Sequence, residues 1–128
     1  MAEWIQLLRQ RYAGMSLIVA RDKLDDVQGV REKLLAFEHF LRKYPEYHGK
    51  VILIQIALHT SDENELHASN VFDVVSRINS AFSTLTYQPI VFLHMQDLTF
   101  NQYLGLLTVA DVFMVTSLRE GMALRSVA

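Results

Sequence analysis

The sequence predicts an α/β domain of three layers, with a central parallel sheet of about four strands. Short apolar runs alternate along the chain with segments of helical periodicity, and this order is typical of a parallel sheet built through right-handed crossovers. The chain has 128 residues, of which 51% are hydrophobic, so one domain can bury a sizeable core. Charged residues make up 20%, near the ordinary globular share, and disorder is not expected.

Four short runs supply the predicted strands, at residues 16–20, 51–57, 90–93 and 112–115. Each run is apolar, partly β-branched and almost without polar alternation, which is the pattern of a strand covered on both faces. Their lengths, and the polar residues that bound them, favour strands over segments of buried helix.

Helical segments precede and separate these strands. Each has apolar residues three or four positions apart, which form one face of an α-helix. These faces are Ile5, Leu8 and Tyr12 in the first helix; Val30, Leu34, Phe37 and Leu41 in the second; Val71, Val74, Val75, Ile78 and Phe82 in the third; and Phe100, Tyr103, Leu104 and Leu107 in the fourth.

Glycine, proline and polar residues set the predicted boundaries. Gly14 ends the first helix, and Pro45 ends the second near Tyr44, because proline disfavours α geometry in the residue before it. The polar stretch 59–66 is predicted to be a surface loop. A further helix is expected to begin at residue 121, and since the sequence stops at residue 128 we expect residues 1–128 to form a single domain that is a fragment of a larger protein.

Composition excludes several classes of function. The chain has no cysteine, which excludes disulfides, thiolate metal sites and cysteine nucleophiles and fits a reducing compartment. Its five histidines show neither an HExxH motif nor i,i+4 pairing, and we expect no metal site and no cofactor. The formal charge is −2 without a clustered basic face, so no nucleic-acid partner is expected. No apolar run has the length of a membrane span, and we expect a cytoplasmic protein without membrane contact.

Two segments are candidate ligand-binding loops, because ligands of open α/β sheets bind beyond the carboxyl ends of strands where the strand order reverses. The first, residues 20–30, is predicted to be a charged loop that leads into a helix. A phosphate group would be well placed at that helix N-terminus, with Lys23 adding charge and Gly29 allowing close approach. Alternatively, Asp25 or Asp26 caps the helix and Lys23 is simply solvated.

The second candidate loop, residues 116–124, follows the fourth strand. The Glu120 carboxylate would accept hydrogen bonds from sugar hydroxyls, and backbone N–H groups near Gly121 would hold anionic oxygens. The alternative is a capped turn in which the glycine supplies only the geometry. Neither loop contains a GxGxxG or a P-loop motif, so a dinucleotide or an NTPase site has no support.

Other polar residues near the strand ends have structural interpretations. Asp22, Asp25 and Asp26 form an acidic cluster, but a glycosidase needs two carboxyl groups opposed across a bond. Three acids in one short loop indicate solvation and helix capping instead. His94, at the end of the third strand, either faces the cleft or is a satisfied polar residue at a strand terminus.

Three ordered segments of the chain resemble trehalose-6-phosphate synthases. They are RDKLDDVQGVREKLLAFEHFLRKYPEYHGKVILIQIA at residues 21–57, RINSAFSTLTYQPIVFLH at 77–94 and LLTVADVFMVTSLREGMAL at 106–124. The resemblance extends from about residue 15 to residue 124. It implies a Rossmann-like domain corresponding to the C-terminal, donor-binding half of a GT-B glycosyltransferase. Such enzymes transfer glucose from a nucleotide sugar to glucose 6-phosphate with retention at the anomeric carbon, in a cleft between two domains.

The resemblance also implies which residues form the donor site. The family's arginine and lysine that neutralise the donor diphosphate fall on Lys23 and Gln28, with Gly29 following. The acid that holds the donor glucose falls on Glu120, and Gly121 and Met122 match the backbone beside the sugar. Two further polar positions of the family are occupied by alanine, at Ala123 and Ala128.

These departures imply a degenerate donor site without catalytic residues. Lysine keeps the charge of arginine but loses its bidentate fork, and Gln28 has no charge to stabilise the leaving diphosphate. Removing one group that stabilises the charge of the transition state costs about a hundredfold or more in rate. The pattern resembles the non-catalytic synthase-like regions of the regulatory and phosphatase subunits of the fungal trehalose synthase complex.

The resemblance therefore favours a non-catalytic synthase-like domain of a regulatory subunit, which acts in trehalose biosynthesis through protein–protein contact. Its expected partners are the catalytic synthase and phosphatase subunits, and UDP-glucose or UDP is the candidate ligand. The alternative is a donor-binding fragment of an active synthase. Either way, the isolated domain is expected to be inactive. An unrelated flavodoxin-like binding domain would require the motif agreement to be coincidence.

Overall fold

Four parallel strands form one sheet in the computed structural model of the chain, which describes residues 2–23, 27–58 and 64–115. The strands are β1 (Ser16–Lys23), β2 (Val51–Leu58), β3 (Ile90–His94) and β4 (Val112–Val115). Their order across the sheet is β3-β2-β1-β4. The chain thus adds strands in one direction from β1 and then places β4 on the other side, so the strand order reverses between β1 and β4.

Helices cover both faces of this sheet. They are α1 (Ala2–Arg11), α2 (Val27–Lys43), α3 (Asn64–Phe82) and α4 (Phe100–Val109), with short 3₁₀ helices at Pro45–Tyr47 and Met95–Asp97. Buried residues of α2 and α3 share one core cluster with the sheet, and buried residues of α1 and α4 share the other. The predicted three-layer α/β fold is confirmed.

The position of β2 between two layers of helices explains why polar and apolar residues barely alternate in its sequence. Val51 to Ala57 are all buried, because successive side chains point to opposite faces and both faces carry helices. Leu53 packs into the α2–α3 cluster, whereas Ile52 and Ile54 pack into the α1–α4 cluster. Each position of the strand is therefore suited to an apolar side chain, and a polar one there has to find a buried partner.

The predicted ends of α1 and α2 and the predicted start of α4 agree closely with the structure. α2 ends at Lys43, just before Tyr44 and Pro45. α1 is followed by a turn in which Gly14 has a φ of 78°, a conformation that favours glycine. α4 begins with a capping box in which Thr99 Oγ1 accepts from the Gln102 N–H at 3.0 Å, and Gln102 Oε1 accepts from the Thr99 N–H at 3.0 Å.

Two predicted boundaries are wrong. β1 continues to Lys23, so residues 21–23 are strand rather than loop, because they pair with β2 as far as Lys23 opposite Leu58. α3 begins at Asn64, so residues 64–66 are helical, whereas residues 59–63 lie outside the described part. Polar residues are common both in loops and in first helical turns, and polarity alone does not separate the two.

The helix expected from residue 121 also lies outside the described residues. Among the helices that the structure describes, none combines the length and the apolar composition needed to cross a bilayer.

Candidate functional site

The carboxyl ends of β1 and β4 lie side by side at one edge of the sheet. Arg21 is opposite Val115, and the register places both strands parallel. We call this the carboxyl edge. Because the strand order reverses between these two strands, it is the position where open α/β sheets bind ligands. The two loops selected from the sequence therefore follow the two strands that flank the reversal.

Three of the sequence-predicted site residues lie at this edge. Lys23 is the last residue of β1, and its side chain is exposed. Gln28 and Gly29 are the second and third residues of α2, in the turn whose N–H groups lack partners within the helix. Among the described residues, positive φ angles occur only at Gly14 and Gly49, so the backbone of Gly29 does not require a glycine.

The remaining members of the predicted site lie outside the described residues. They are Glu120, Gly121 and Met122, the side chain of Gln28, the alanines Ala123 and Ala128, and the predicted capping residues Asp25 and Asp26. The structure thus brings Lys23 and the first turn of α2 to the carboxyl edge and leaves the second loop undescribed.

A buried polar network lies directly beneath this edge. Asp22 is only 4% exposed and Gln55 only 1%. Gln55 Nε2 donates to Asp22 Oδ2 at 2.8 Å, and the Lys33 ammonium group forms an ion pair with the same carboxylate oxygen. The expectation that Asp22 belongs to a solvated, capping acidic loop is wrong, because these two partners hold its carboxylate in the interior.

The network fixes the end of β1 to its neighbours. Lys33 comes from the second turn of α2 and Gln55 comes from β2, so Asp22 ties one strand to a helix and to another strand. Removing one partner of a buried ion pair commonly costs about 3–5 kcal/mol. Asp22 immediately precedes Lys23, and the network therefore holds the backbone from which the Lys23 side chain projects.

Sequence reasoning missed this network, although one signal was present. Gln55 is the single polar residue within an otherwise apolar strand from residue 51 to residue 58. A polar side chain in such a strand has to find a buried partner. Its Oε1 atom is buried without a hydrogen-bond partner, whereas its Nε2 atom is bonded.

A second cationic side chain at this end of β1 lies on the face of the strand opposite to Asp22. Sequence reasoning missed this residue too. Arg21 Nη1 donates to the Tyr103 hydroxyl oxygen at 3.0 Å, and its guanidinium carbon lies 5.7 Å from the centre of the Tyr103 ring. Strand alternation places Arg21 and Lys23 on the same face. The end of β1 therefore presents two cationic side chains, of which one is tethered to α4.

The structure also gives the surroundings of two further polar side chains, His94 and Glu38. His94 ends β3 half-buried, and its ring centre lies 5.3 Å from that of Phe92. Glu38 joins α2 to α3 by accepting from Arg77 Nη1 at 2.6 Å and Nη2 at 3.0 Å. The hydrogen bonds from Arg77 and Arg42 hold the pKa of Glu38 below its ordinary value, although burial opposes this shift. Glu38 lies away from the carboxyl edge and has a structural role.

Comparison with known proteins shows the family of the chain. Residues 1–128 match the family model described as glycosyltransferase family 20. A regulatory subunit of the trehalose synthase complex of Saccharomyces cerevisiae is 50% identical over 123 residues, which are 95% of this chain and 11% of that subunit. The 56 kDa α,α-trehalose-phosphate synthase subunit of the same yeast is 40% identical over 125 residues, which are 95% of this chain and 25% of that subunit.

A solved structure shares the fold described above. The N-terminal domain of the trehalose-6-phosphate phosphatase of Candida albicans superimposes with a TM-score of 0.82 at 40% sequence identity, over 96% of this chain and 26% of that chain. This chain spans only about a tenth of the yeast regulatory subunit that it matches. With matching motifs, a matching fold and a family model that covers its whole length, the chain belongs to glycosyltransferase family 20.

Proposed function

We propose that this chain is a non-catalytic synthase-like domain of a regulatory subunit of a trehalose synthase complex, and that it acts in trehalose biosynthesis by contacting other subunits. The observation that carries the proposal is that the chain differs in its sequence identity to two proteins of the same yeast. The chain is 50% identical to a regulatory subunit and 40% identical to the catalytic synthase subunit, over nearly the same length.

The composition of the carboxyl edge supports a loss of catalysis. A glucosyl transferase has to stabilise the negative charge that develops on the leaving diphosphate, and fixed cations supply much of that stabilisation. At the two positions that correspond to the family's diphosphate-binding cations, this chain has Lys23 and the uncharged Gln28. We further propose that Glu120, Gly121 and Met122 belong to the remnant of the sugar site.

The proposed partners are the catalytic synthase and phosphatase subunits of the same complex. This assignment rests on the regulatory subunit of a trehalose synthase complex to which the chain is similar. We place this role in the cytoplasm, because a chain without cysteine is compatible with a reducing compartment.

Two measurements on the full-length protein test the proposal. Glucosyl transfer from UDP-glucose to glucose 6-phosphate is expected to be absent with the protein alone, and the protein is expected to co-purify with the catalytic synthase of its source organism. Measurable transfer by the protein alone would overturn the non-catalytic assignment. Failure to bind the synthase would overturn the assignment to the complex.

The second candidate function is a donor-binding domain of an active retaining synthase. The exposed Lys23 at the carboxyl edge favours it, because a cation remains where the donor diphosphate would lie. Calorimetric titration with UDP and with UDP-glucose distinguishes the two functions. Saturable binding that is lost in Lys23→Met supports a working donor site, whereas absence of binding at millimolar ligand supports the non-catalytic domain.

A further inference from the structure

Three aromatic rings form a cluster on the surface at the C-terminal end of α2. The ring centre of Phe40 lies 5.4 Å from that of Tyr44 and 5.2 Å from that of Tyr47, and the two tyrosine rings are 6.3 Å apart. Tyr44 is 38% exposed and Tyr47 is 42% exposed. We call Phe40, Tyr44 and Tyr47 the tyrosine patch. Its rings contact one another while a large part of each tyrosine faces solvent.

The tyrosine patch lies at the opposite end of the sheet from the candidate donor site. It follows the last turn of α2 and includes the 3₁₀ helix Pro45–Tyr47. The chain then enters β2, and the Ser16 N–H at the start of β1 donates to Lys50 O at 2.7 Å. The patch therefore adjoins the amino ends of the strands, and a protein bound there would leave the carboxyl edge open.

The chain segment that carries the patch has an excess of cations, although the chain as a whole has a formal charge of −2. Residues 40–50 contain the cations Arg42, Lys43 and Lys50 against the single carboxylate of Glu46. The Lys43 ammonium nitrogen lies 5.7 Å from the centre of the Tyr44 ring, and both lysines are exposed. A surface of this charge favours a partner segment with carboxylates.

The buried carboxylate of Glu38 does not cancel this charge. Glu38 accepts a hydrogen bond from Arg42 at 3.1 Å, but it also pairs with both terminal nitrogens of Arg77. One carboxylate thus serves two guanidinium groups, and the local excess of positive charge remains.

The composition of the patch is that of an interface centre. Tyrosine is enriched among residues that dominate protein–protein binding, because it offers a large apolar area together with a polar group. The tyrosine rings are also held against Phe40, which packs on the α2–α3 core cluster. Binding would therefore order few additional side-chain torsions, and this lowers its entropic cost.

We propose that the tyrosine patch is the docking surface for an acidic segment of the catalytic synthase subunit. An apolar side chain of that segment contacts the rings of Tyr44 and Tyr47, and its carboxylates face Lys43 and Lys50. This inference rests on the proposed function, because it names the surface through which the contact between subunits is made.

The test compares two matched variants of the full-length protein for binding to the purified synthase. Tyr44→Ala/Tyr47→Ala is expected to raise the Kd at least tenfold. The control is Phe72→Ala, since Phe72 is 56% exposed and its ring centre lies 6.5 Å from that of Phe92. Its Kd is expected to stay within twofold of the original value. Near-UV circular dichroism and the melting temperature show whether each variant is folded.

A charge-reversal variant tests the acidic character of the partner without removing any ring. Lys43→Glu/Lys50→Glu is expected to raise the Kd and to reverse the dependence of the Kd on salt at this surface, because ions screen the new repulsion as they screened the original attraction. A Kd with the same value and the same salt dependence as the original protein would contradict an acidic partner segment.

The outcomes separate this inference from the proposed function. If the unmodified protein does not bind the synthase, the proposed function fails. If it binds and the tyrosine variant binds equally well, the function stands and the docking surface is wrong. Two further results would also overturn the inference: loss of self-association without any change in synthase binding would assign the patch to a second copy of the chain, and a lower melting temperature with unchanged binding would assign it to intramolecular packing.

Discussion

Asp111 and Leu17 are joined by a reciprocal pair of hydrogen bonds across 94 residues of sequence. The Leu17 N–H donates to Asp111 Oδ2 at 2.7 Å, and the Asp111 N–H donates to Leu17 O at 2.8 Å. Asp111 immediately precedes β4, and Leu17 lies near the start of β1. The pair therefore sets the register in which β4 joins the sheet, with Ile18 opposite Val112.

Replacing Asp111 is expected to weaken this junction. Asp111→Ala removes a charged acceptor and leaves the Leu17 N–H without its side-chain partner, which should lower the free energy of unfolding by about 1–3 kcal/mol. Asp111→Asn retains an acceptor oxygen and should lose less. Urea unfolding followed by circular dichroism measures both variants, and equal losses would contradict a specific role for the acceptor.

Breaking the ion pair between Asp22 and Lys33 is expected to lower the free energy of unfolding more than the removal of a charge at an exposed position does. Lys33→Met leaves the carboxylate of Asp22 buried without the ammonium group, while the hydrogen bond from Gln55 is retained. The expected loss of unfolding free energy is about 3–5 kcal/mol. Adding Asp22→Asn to this variant should recover part of the loss, because no buried charge then remains. A double-mutant cycle by urea unfolding measures the coupling, with the exposed Lys50→Met as control. Additive losses would show that the two side chains are independent.

The stabilisation from Glu38 is expected to depend on pH. Hydrogen bonds from Arg77 and Arg42 lower its folded-state pKa below the ordinary value of 4.5. A carboxyl group with a lowered folded pKa stabilises the fold above its unfolded pKa, and this contribution is lost as the pH falls through the folded pKa. The difference in unfolding free energy between the original protein and Glu38→Gln should therefore shrink below about pH 4.5. An equal difference at pH 7 and pH 3 would contradict this assignment.

Gly105→Ala is expected to destabilise the protein, although alanine is the better helix former by about 1 kcal/mol. A Cβ atom at position 105 would lie 2.7 Å from Trp4 Nε1, and the Trp4 indole is fixed by its hydrogen bond to Gln102 O at 3.0 Å. Relief of the clash requires α1 to move away from α4, at a cost of about 1–3 kcal/mol. Trp4 is the only tryptophan of the chain, so a red shift of its fluorescence reports the displacement. Gain of stability without a spectral shift would show that α1 accommodates the methyl group.

The sequence was sufficient to predict the four strands and the four helices because each has its own local pattern. A strand buried on both faces needs an unbroken apolar run, as in β2, and a helix against a sheet needs an apolar stripe, as in α2. The end of β1 has neither signal. Its residues Arg21, Asp22 and Lys23 are charged, and they are part of the strand because of backbone pairing with β2 and side-chain contacts with distant residues.

The candidate site was predictable only in part for the same reason. The rule that ligands bind beyond the carboxyl ends of strands selected the loops after β1 and β4, and the observed strand order places the reversal between those strands. The partners of Asp22 were not predictable, because Lys33 and Gln55 meet it only after the chain has folded. The tyrosine patch likewise depends on the turn at Pro45, which brings Tyr47 back against Phe40.

The strand order also has a consequence for synthesis of the chain. β1 is made first of the four described strands, whereas the strand that covers its second edge is made last of them, and the paired residues Leu17 and Asp111 are 94 positions apart. At a translation rate of about 5–20 residues per second, that edge waits roughly 5–20 seconds for its partner. An uncovered strand edge is a template for pairing between chains, so this edge of β1 is exposed to such pairing until β4 emerges.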